Sequence, residues 1–427
     1  MSSTPDTSEI KSRISPSEIS IIADDLAGAC DTGVEFLDSV GGVTVVIDSD
    51  IGEMQQNQFE GLIVWNTESR SLSEHDACSK VRRACETAGF KEKRIVLKKT
   101  DSAFRGHFGS EISAAMDALD VEICCVAPAI PDFGRVTRNG IQYLNGLPIA
   151  ESFYSKDPKQ PVTESRVAEI VAMGNRRPTG LLDLETLRSH ENQKRIERLI
   201  ASGVQIIVAD SESRADLDRA VDLFLKRPGR LLFVGGQGIG NALAKYCLPG
   251  ARMETWTQVP DGAVVIVCGT LHPRAREQLT RFSRMHGIEP VFLDIDNRSN
   301  LAAIHAAAEN ATAGLLAQIG SHGLGFLASP QSPVRDPRLV EEALSLAVGD
   351  VYEKAGLSGL ILTGGTTAYA VCRRIGVKCL QLRQRISWGV VLTQASDLSG
   401  LAIAVKGGSL GDADAIEKVV DTVRSLV

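Results

Sequence analysis

Short apolar segments rich in β-branched residues alternate with helical patterns along almost the whole chain. The first series of these segments comprises 19–25, 43–49, 61–67, 94–101, 121–128, 204–210 and 230–236. A second series comprises 263–270, 290–296, 358–365, 377–382, 389–394 and 401–408. Short buried strands that alternate with helices are typical of parallel sheets covered by helices on both faces. We therefore predict an α/β fold with mainly parallel sheets flanked by helices.

The two series of strands indicate two domains. A chain of 427 residues is too long for one ordinary hydrophobic core, and 248–262 is rich in Pro, Gly and polar residues, as domain boundaries often are. We predict a disordered N-terminus at 1–18, one α/β domain at 19–250 and another at 251–427. Because ligands bind beyond the carboxyl ends of parallel strands, we expect the active site in the cleft between the domains.

Composition excludes several classes of protein. The net charge of −7 argues against a nucleic-acid-binding surface, and no run of about 18 apolar residues is present to span a membrane. The nine cysteines form no C-x-x-C pair or zinc-ligand array, and the polar first residues lack the apolar centre of a signal peptide. We expect a cytoplasmic protein with no nucleic-acid or membrane partner.

Two adjacent carboxylates, Asp24 and Asp25, end the first predicted strand in the segment 21–33. Paired carboxylates are costly at a strand end unless a cation or a proton compensates them. In a phosphotransferase, one can accept the proton of the attacking hydroxyl and the other can orient the nucleophile. A helix N-cap is the structural alternative, and it accounts for only one of the two. We predict that both act in catalysis.

A mixed cluster of cations, an acid and hydroxyls follows the strand predicted at 94–101. An arginine can grip a carboxylate with two hydrogen bonds, and a lysine supplies a point charge. An exposed basic loop is the structural alternative; the position at a strand end favours binding. We predict a substrate site made of Lys98, Lys99, Thr100, Asp101, Ser102 and Arg105, with Arg70 from another strand end.

The segment 127–152 contains three prolines, three glycines, Arg135, Arg138, Asn139 and Asn145. A long loop of this composition in a compact domain is more often a binding loop than a linker. We predict that it completes a cationic pocket for a small polyhydroxy acid.

In the second domain, glycine-containing turns lie between strand and helix in 268–278 and 362–373, and a glycine-rich strand exit lies in 405–412. Backbone N–H groups at a helix N-terminus favour phosphate oxygens. None of these turns matches a P-loop, and 235–244 lacks the glycine spacing of a dinucleotide fingerprint. We read 235–244 as a tight turn into a helix.

These motifs, in this order, resemble the four-carbon acid sugar kinase family. The motifs that carry the resemblance are IIADDLAGACDTG, LKKTDSAFRGHFGSE, APAIPDFGRVTRNGIQYLNGLPIAE, CGTLHP and LILTGGTTA. The resemblance implies an N-terminal sugar-acid-binding domain and a C-terminal ATP-binding domain. It also implies phosphorylation of the terminal (4-) hydroxyl of D-threonate, D-erythronate or 3-oxo-tetronate with ATP and Mg²⁺. The segments 67–70, 98–106 and 157–171 are more similar to the D-threonate and D-erythronate branch.

The resemblance also implies roles for individual residues. It places Asp25, Arg70 and 99–102 on the substrate side, and we add Asp24 and Asp101 to the catalytic group. The family pattern has Thr where Ala27 stands and a hydroxyl-bearing residue where His272 stands. The nucleotide side comprises Thr270, His272, Gly364, Gly365, Thr366, Thr367, Gly407 and Gly408.

Our mechanistic hypothesis seats the substrate carboxylate on Arg70 and Lys99, with Ser102 and Asp101 at the inner hydroxyls. Asp25 accepts the proton of the 4-hydroxyl. Three alternatives stay open: a 3-oxo-tetronate kinase, an NAD-dependent sugar-acid dehydrogenase and a non-catalytic sugar-acid-binding protein. The expected partners are the acid and ATP; the metal ligands and the assembly, a homodimer included, stay open.

Overall fold

The computed structural model describes residues 14–48, 61–87, 90–157, 160–248, 256, 258–297 and 299–427. Part of the segment that we expected to be a disordered terminus is ordered. Ile14 is fully buried, its N–H donates to the Tyr246 carbonyl at 2.8 Å, and Pro16–Glu18 form a 3₁₀ turn. Residues 249–255 and 257, at the centre of the expected domain boundary, lie outside the described residues.

The N-terminal half contains eleven of the strands and nine of the helices among the described residues. In chain order these are β1 Ile19–Ala23, α1 Leu26–Gly33, α2 Leu37–Val40, β2 Val43–Val46, β3 Leu62–Asn66, α3 Glu74–Thr87, β4 Ile95–Lys99, α4 Phe108–Leu119, β5 Cys124–Ala127, β6 Arg135–Arg138, β7 Ile141–Leu144, β8 Leu147–Pro148, α5 Val167–Ala172, β9 Thr179–Leu182, α6 Leu184–Arg188, α7 Asn192–Ala201, β10 Ile206–Ala209, α8 Arg214–Leu225, β11 Leu231–Gly235 and α9 Gln237–Ala244.

The C-terminal half repeats the alternation with longer helices. Its elements are β12 Ala263–Cys268, α10 Pro273–His286, β13 Val291–Phe292, α11 Leu301–His322, β14 Leu324–Ala328, α12 Pro337–Lys354, β15 Leu357–Thr363, α13 Gly365–Arg374, β16 Cys379–Ser387, β17 Val390–Ala395, β18 Leu401–Lys406 and α14 Ala415–Arg424.

Two groups of mainly parallel strands are joined edge to edge into one sheet of fifteen strands. The order is β13-β14-β12-β15-β18-β17-β16-β2-β3-β1-β4-β11-β5-β10-β9. The join is an antiparallel pairing of β16 with β2, in which Cys379 lies opposite Val46. Within the C-terminal group, β16 and β17 are antiparallel. The predicted fold class is confirmed, and the continuous sheet is a feature that the alternation did not reveal.

The sheet is buried on both faces, which accounts for its continuous apolar strands. On β1 and β4, Ile21 and Leu97 belong to one buried cluster, whereas Ile22 and Val96 belong to the cluster on the opposite face. Successive side chains therefore face opposite layers of helices. None of the described helices combines the length and apolar character needed to cross a membrane.

The segment 127–152 is not the long loop that we predicted. It folds into a separate antiparallel sheet of three strands in the order β6-β7-β8. The glycines and asparagines that suggested a loop form its turns: Asn139 and Asn145 have φ values of 51° and 50°, a left-handed conformation that asparagine tolerates well. The strands β9 and β14 were also not predicted.

Candidate active site

A cavity of about 670 Å³ lies between the two halves of the molecule. It is lined by residues that follow β1, β3 and β4 on one side and β12, β15 and β18 on the other. The predicted site residues that line it are Asp25, Arg70, Lys99, Thr100, Asp101, Ser102, Arg105, Thr270, His272, Gly364, Gly365, Thr366, Thr367, Gly407 and Gly408. The carboxyl ends of strands from both halves therefore meet at one cavity of ligand size.

Asp24 and Asp25 are compensated by two cations from neighbouring strands. Arg70 donates from Nε to Asp24 at 2.9 Å and from Nη2 to Asp25 at 2.5 Å. Lys99 Nζ lies 3.1 Å from Asp24 and 2.6 Å from Asp25. Burial alone would raise the pKa of Asp24, but Arg70 and Lys99 outweigh it and hold that pKa well below its usual range. Both acids are therefore kept together without an added metal.

Asp25 has two different oxygens. Its Oδ1 accepts from Gly28 N–H at 3.2 Å, so Asp25 is also the N-cap of α1, and the same oxygen accepts from Arg70 and Lys99. Its Oδ2 accepts no hydrogen bond from the described residues and faces Gly365 of the other half, where an added Cβ would lie 2.9 Å from it. Oδ1 thus fixes the carboxylate, and Oδ2 is available to a ligand.

Asp24 does not line the cavity. The side chain is 4 % exposed, and both oxygens are engaged by Arg70 and Lys99. This geometry makes Asp24 a residue that positions the two cations. Its direct part in catalysis stays a prediction.

Lys98 does not belong to the site, and this prediction was wrong. Its Nζ lies 2.6 Å from Glu111 Oε2, and both side chains are buried, at 0 % and 3 % exposure. The cause is the alternation of side chains along β4, where Lys99 points to the cavity and Lys98 to the opposite layer. Charge alone does not distinguish the two adjacent lysines. The alternation of side chains along a strand does, because it places them on opposite faces of the sheet.

We expect Lys98→Met to destabilise the protein by about 3–5 kcal/mol, because it leaves the Glu111 carboxylate buried without its partner. Urea denaturation measures this loss. The double variant Lys98→Met/Glu111→Leu should recover most of it. The folded fraction of both variants should keep the kcat of the parent, and a large loss of kcat at unchanged stability would return Lys98 to the site.

Asp101 and Arg105 form a second ion pair in the cavity wall. Arg105 Nε donates to Asp101 at 2.6 Å, and Arg105 Nη1 donates to Asp157 at 3.2 Å. Burial would raise the pKa of Asp101, but Arg105 and Arg70 hold it well below its usual range. Arg105 is therefore already matched by two carboxylates.

The three-stranded sheet contributes Arg135, which we predicted to help form a cationic pocket, to the cavity wall. Arg135 Nη1 donates to Ser102 Oγ, and Nη2 donates to Tyr154 Oη at 2.6 Å. All three residues line the cavity. Arg138, on the same strand, instead points outward and pairs with Glu212. The strand alternation again separates two arginines that composition grouped together.

Glu68 is a further cavity residue that the sequence analysis did not single out. Its backbone has a φ of 45°, which is unusual for a residue with a side chain. Its Oε2 accepts from Leu26 N–H at 3.2 Å and from Asn66 Nδ2 at 3.1 Å. Burial, followed by the charge of Asp25, raises the pKa of Glu68 to about 8. Its placement ties the strand end of β3 to the start of α1.

We expect stability to fall as pH rises from about 5 to about 8, because the folded protein keeps a proton on Glu68 that the unfolded chain has released above its ordinary pKa of about 4.3. The contribution of Glu68 to the free energy of unfolding is fully present below the pKa that Glu68 has in the unfolded chain, and it is lost above about pH 8. Glu68→Gln should flatten that fall. Urea denaturation across this pH range tests it, and parallel profiles for the variant and parent would contradict it.

Three turns of the C-terminal half converge at the cavity. A Cβ added to Gly269 would lie 1.8 Å from Thr367 Oγ1, and one added to Gly408 would lie 3.1 Å from Thr270 Oγ1. Gly364 is the N-cap of α13 with a φ of 110°, so the first N–H groups of that helix lack partners in the helix. Bare N–H groups at a helix N-terminus, in contact with two further glycine turns, suit phosphate oxygens.

His272 takes over a capping role in the first of these turns. It is the N-cap of α10, and its Nδ1 accepts from Arg274 N–H at 3.2 Å. Burial, with Lys406 and Arg105 nearby, lowers the pKa of His272, which keeps the ring neutral and able to accept. The residue that replaces a hydroxyl of the family pattern therefore preserves its acceptor.

The segment that follows β14 and runs into the first turn of α12 was not predicted from the sequence. It contributes three prolines and two valines, beside polar and charged side chains, to the C-terminal side of the cavity. In the sequence, only its proline content could have indicated a rigid wall. Its cavity-lining residues include Ser329, Pro330, Pro333, Val334, Pro337 and Val340.

Comparison with known proteins agrees with this division of the cavity. A family model described as a sugar-binding N-terminal domain matches residues 19–243. A second, described as a nucleotide-binding C-terminal domain, matches residues 265–416. The D-threonate kinase of Salmonella typhimurium is 29 % identical over 420 residues, which cover 92 % of this chain and 95 % of the relative. The D-erythronate kinase of Heliobacterium modesticaldum is 26 % identical, with 95 % and 97 % covered.

The chain belongs to the four-carbon acid sugar kinase family. A 3-oxo-tetronate kinase of Cupriavidus necator is a further member, 25 % identical with 93 % of this chain and 95 % of the relative covered. The resemblance and the enzyme class predicted from the sequence, a sugar-acid kinase, are thereby confirmed. The domain limits and the residue roles stay predictions.

Solved structures share the fold of this family member. A Salmonella typhimurium structure superposes with a TM-score of 0.76 at 22 % identity, covering 94 % of this chain and 98 % of the other. A Haemophilus influenzae protein of the family DUF1537 gives 0.68 at 19 % identity, with 95 % and 100 % covered.

Proposed function

We propose that this enzyme transfers the γ-phosphate of ATP to the terminal (4-) hydroxyl of a four-carbon sugar acid, D-threonate or D-erythronate. The observation that carries the proposal is the approach of Asp25 Oδ2 to Gly365. It places an available carboxylate oxygen of the sugar-binding half against the phosphate-suited turn of the nucleotide-binding half. Phosphoryl transfer needs this juxtaposition of base, acceptor and phosphate.

In the proposed reaction, the terminal hydroxyl lies between Asp25 Oδ2 and the γ-phosphate. The hydroxyl oxygen forms a bond to the γ-phosphorus as the bond to the β,γ-bridging oxygen breaks, and ADP leaves. The hydroxyl proton passes to Asp25. Arg70 and Lys99 hold the other oxygen of Asp25 and so fix its direction. Asp24 in turn holds both cations in place.

The nucleotide half supplies phosphate contacts and an apolar slot. The N–H groups that open α13 and the turns at Gly269 and Gly407 would bind the phosphates. The prolines at 330, 333 and 337 suit the flat faces of an adenine ring.

Mg²⁺ fits this donor set as a companion of the nucleotide. The described residues contain no cluster of three acidic, His or Cys side chains that could hold a metal, and Mg²⁺ is commonly bound through phosphate oxygens and water with few protein ligands. The Thr270 and Thr366 hydroxyls are among the oxygen ligands that the turns offer. When bound, the cation would neutralise charge on the phosphates.

The choice of acid rests on the segments 67–70, 98–106 and 157–171, which are more similar to the D-threonate and D-erythronate branch. A coupled assay of ADP release with D-threonate, D-erythronate, their L-forms and 3-oxo-tetronate tests it. We expect the highest kcat/KM for one of the two D-acids and a phosphate on C4, located by its NMR coupling. Preference for 3-oxo-tetronate would overturn the substrate choice, and no ADP release with any acid would overturn the proposed function.

A further inference from the structure

The cations of the sugar-binding wall are not equally available to a ligand. Arg70 and Lys99 already contact the carboxylates of Asp24 and Asp25. Arg105 contacts Asp101 and a further carboxylate. A substrate carboxylate placed on any of these groups would have to compete with an acid of the protein. The earlier hypothesis of Arg70 and Lys99 as the carboxylate seat therefore has an electrostatic cost.

Arg135 differs from these cations because both of its hydrogen-bond partners are neutral. It donates to Ser102 Oγ and to Tyr154 Oη, and its guanidinium lies over the Tyr154 ring, 5.5 Å from the centroid. A guanidinium has five N–H donors, so most of its donor capacity is left over. Its buried Nε has no hydrogen-bond partner among the described residues. Arg135 is thus a half-buried cation without a carboxylate within ion-pair distance in the described structure.

The two hydroxyls beside Arg135 are also incompletely used. Each accepts a hydrogen bond from the guanidinium, so the proton of each hydroxyl must point elsewhere. Neither proton has an acceptor among the described residues. Both side chains line the cavity, yet they are only 4 % exposed. Buried donors that lack acceptors are costly, and an anion between them would satisfy both.

We propose that Arg135, Ser102 and Tyr154 form the seat of the substrate carboxylate. The guanidinium supplies the charge, and the Ser102 and Tyr154 hydroxyls donate to the carboxylate oxygens. This inference rests on the proposed function, because it takes a sugar acid as the occupant of the cavity. Arg135 then makes the enzyme prefer an acid to a neutral polyol, and Arg70 and Lys99 hold Asp25.

The test compares each four-carbon acid with its uncharged alditol, erythritol or threitol, in the full-length enzyme. Arg135→Met should raise KM for the acid on the order of 100-fold, the size expected when a buried charge-assisted contact is lost. It should leave kcat/KM for the alditol within about 3-fold. Arg138→Met is the matched control. Arg138 lies on the same strand as Arg135 but pairs with Glu212 outside the cavity. The variant should keep the parent's KM and kcat/KM for both the acid and the alditol.

Tyr154→Phe keeps the ring under the guanidinium and removes only the hydroxyl, which accepts from Arg135 and is proposed to donate to the acid. It carries the test if Arg135→Met does not fold. We expect KM for the acid to rise about 10-fold, with no change for the alditol. Variants that keep the parent's preference for the acid over the alditol would overturn the seat. Failure of the parent to release ADP with any acid would instead overturn the proposed function. In that case, calorimetry with the acid alone tests the carboxylate seat. Equal affinities of the parent and Arg135→Met for the acid would overturn the seat.

Discussion

Asp25→Asn lowers kcat on the order of 10³-fold while the affinity for ATP stays within about 3-fold, if Asp25 is the base. Asparagine has the same shape and can still accept from Gly28 N–H, so the cap of α1 persists. It cannot accept the hydroxyl proton. Initial rates of ADP release give kcat, and calorimetry with ATP alone gives the affinity.

Asp183→Asn is the matched control for this variant. Asp183 follows β9 and caps α6 by accepting from Thr186 N–H at 2.9 Å, so it shares the strand-end and capping position of Asp25 but lies outside the cavity lining. Its variant should keep the parent kcat. If both substitutions lowered kcat by a similarly small factor, Asp25 would act only as the N-cap of α1 and not as the base.

Gly365→Ala should lower kcat on the order of 100-fold, because the added Cβ would lie 2.9 Å from Asp25 Oδ2 and 3.4 Å from the Ala27 Cβ. These contacts force the glycine turn and the start of α1 apart. A displacement of about 1 Å between reacting groups is enough for such a loss. Steady-state kinetics with saturating ATP and acid measure it.

Gly320→Ala is the control for this second substitution. Gly320 lies in α11, and an added Cβ there would meet nothing within 4 Å. Alanine favours a helix interior, so this variant should be active and at least as stable as the parent. Unchanged kcat in Gly365→Ala would show that the two halves do not meet here during turnover.

The strand-end acids and the glycine turns could be predicted because each is a local pattern with a local physical cause. Asp25 and Lys99 each follow or end a buried strand, and the carboxyl ends of parallel strands converge. The turn at Gly364 is visible as a glycine pair between an apolar run and a helical pattern. These features need no knowledge of distant contacts.

The errors arise where a residue's role depends on direction or on a distant partner. Lys98 was assigned to the site because charge alone was counted, although its neighbour on the strand faces the other layer. The seat formed by Arg135 and Tyr154 depends on a three-stranded sheet whose turn residues were read as a loop. The pairing of β16 with β2 joins segments more than three hundred residues apart, so no local pattern could indicate it.

The most direct measurement is a crystal structure of the enzyme with a non-hydrolysable ATP analogue and the preferred acid. We expect an arrangement with the γ-phosphate at the N-terminus of α13 and the terminal hydroxyl within hydrogen-bond distance of both that phosphate and Asp25 Oδ2. A nucleotide bound with its phosphates away from Gly364–Thr367, or an acid whose terminal hydroxyl points away from Asp25, would contradict it.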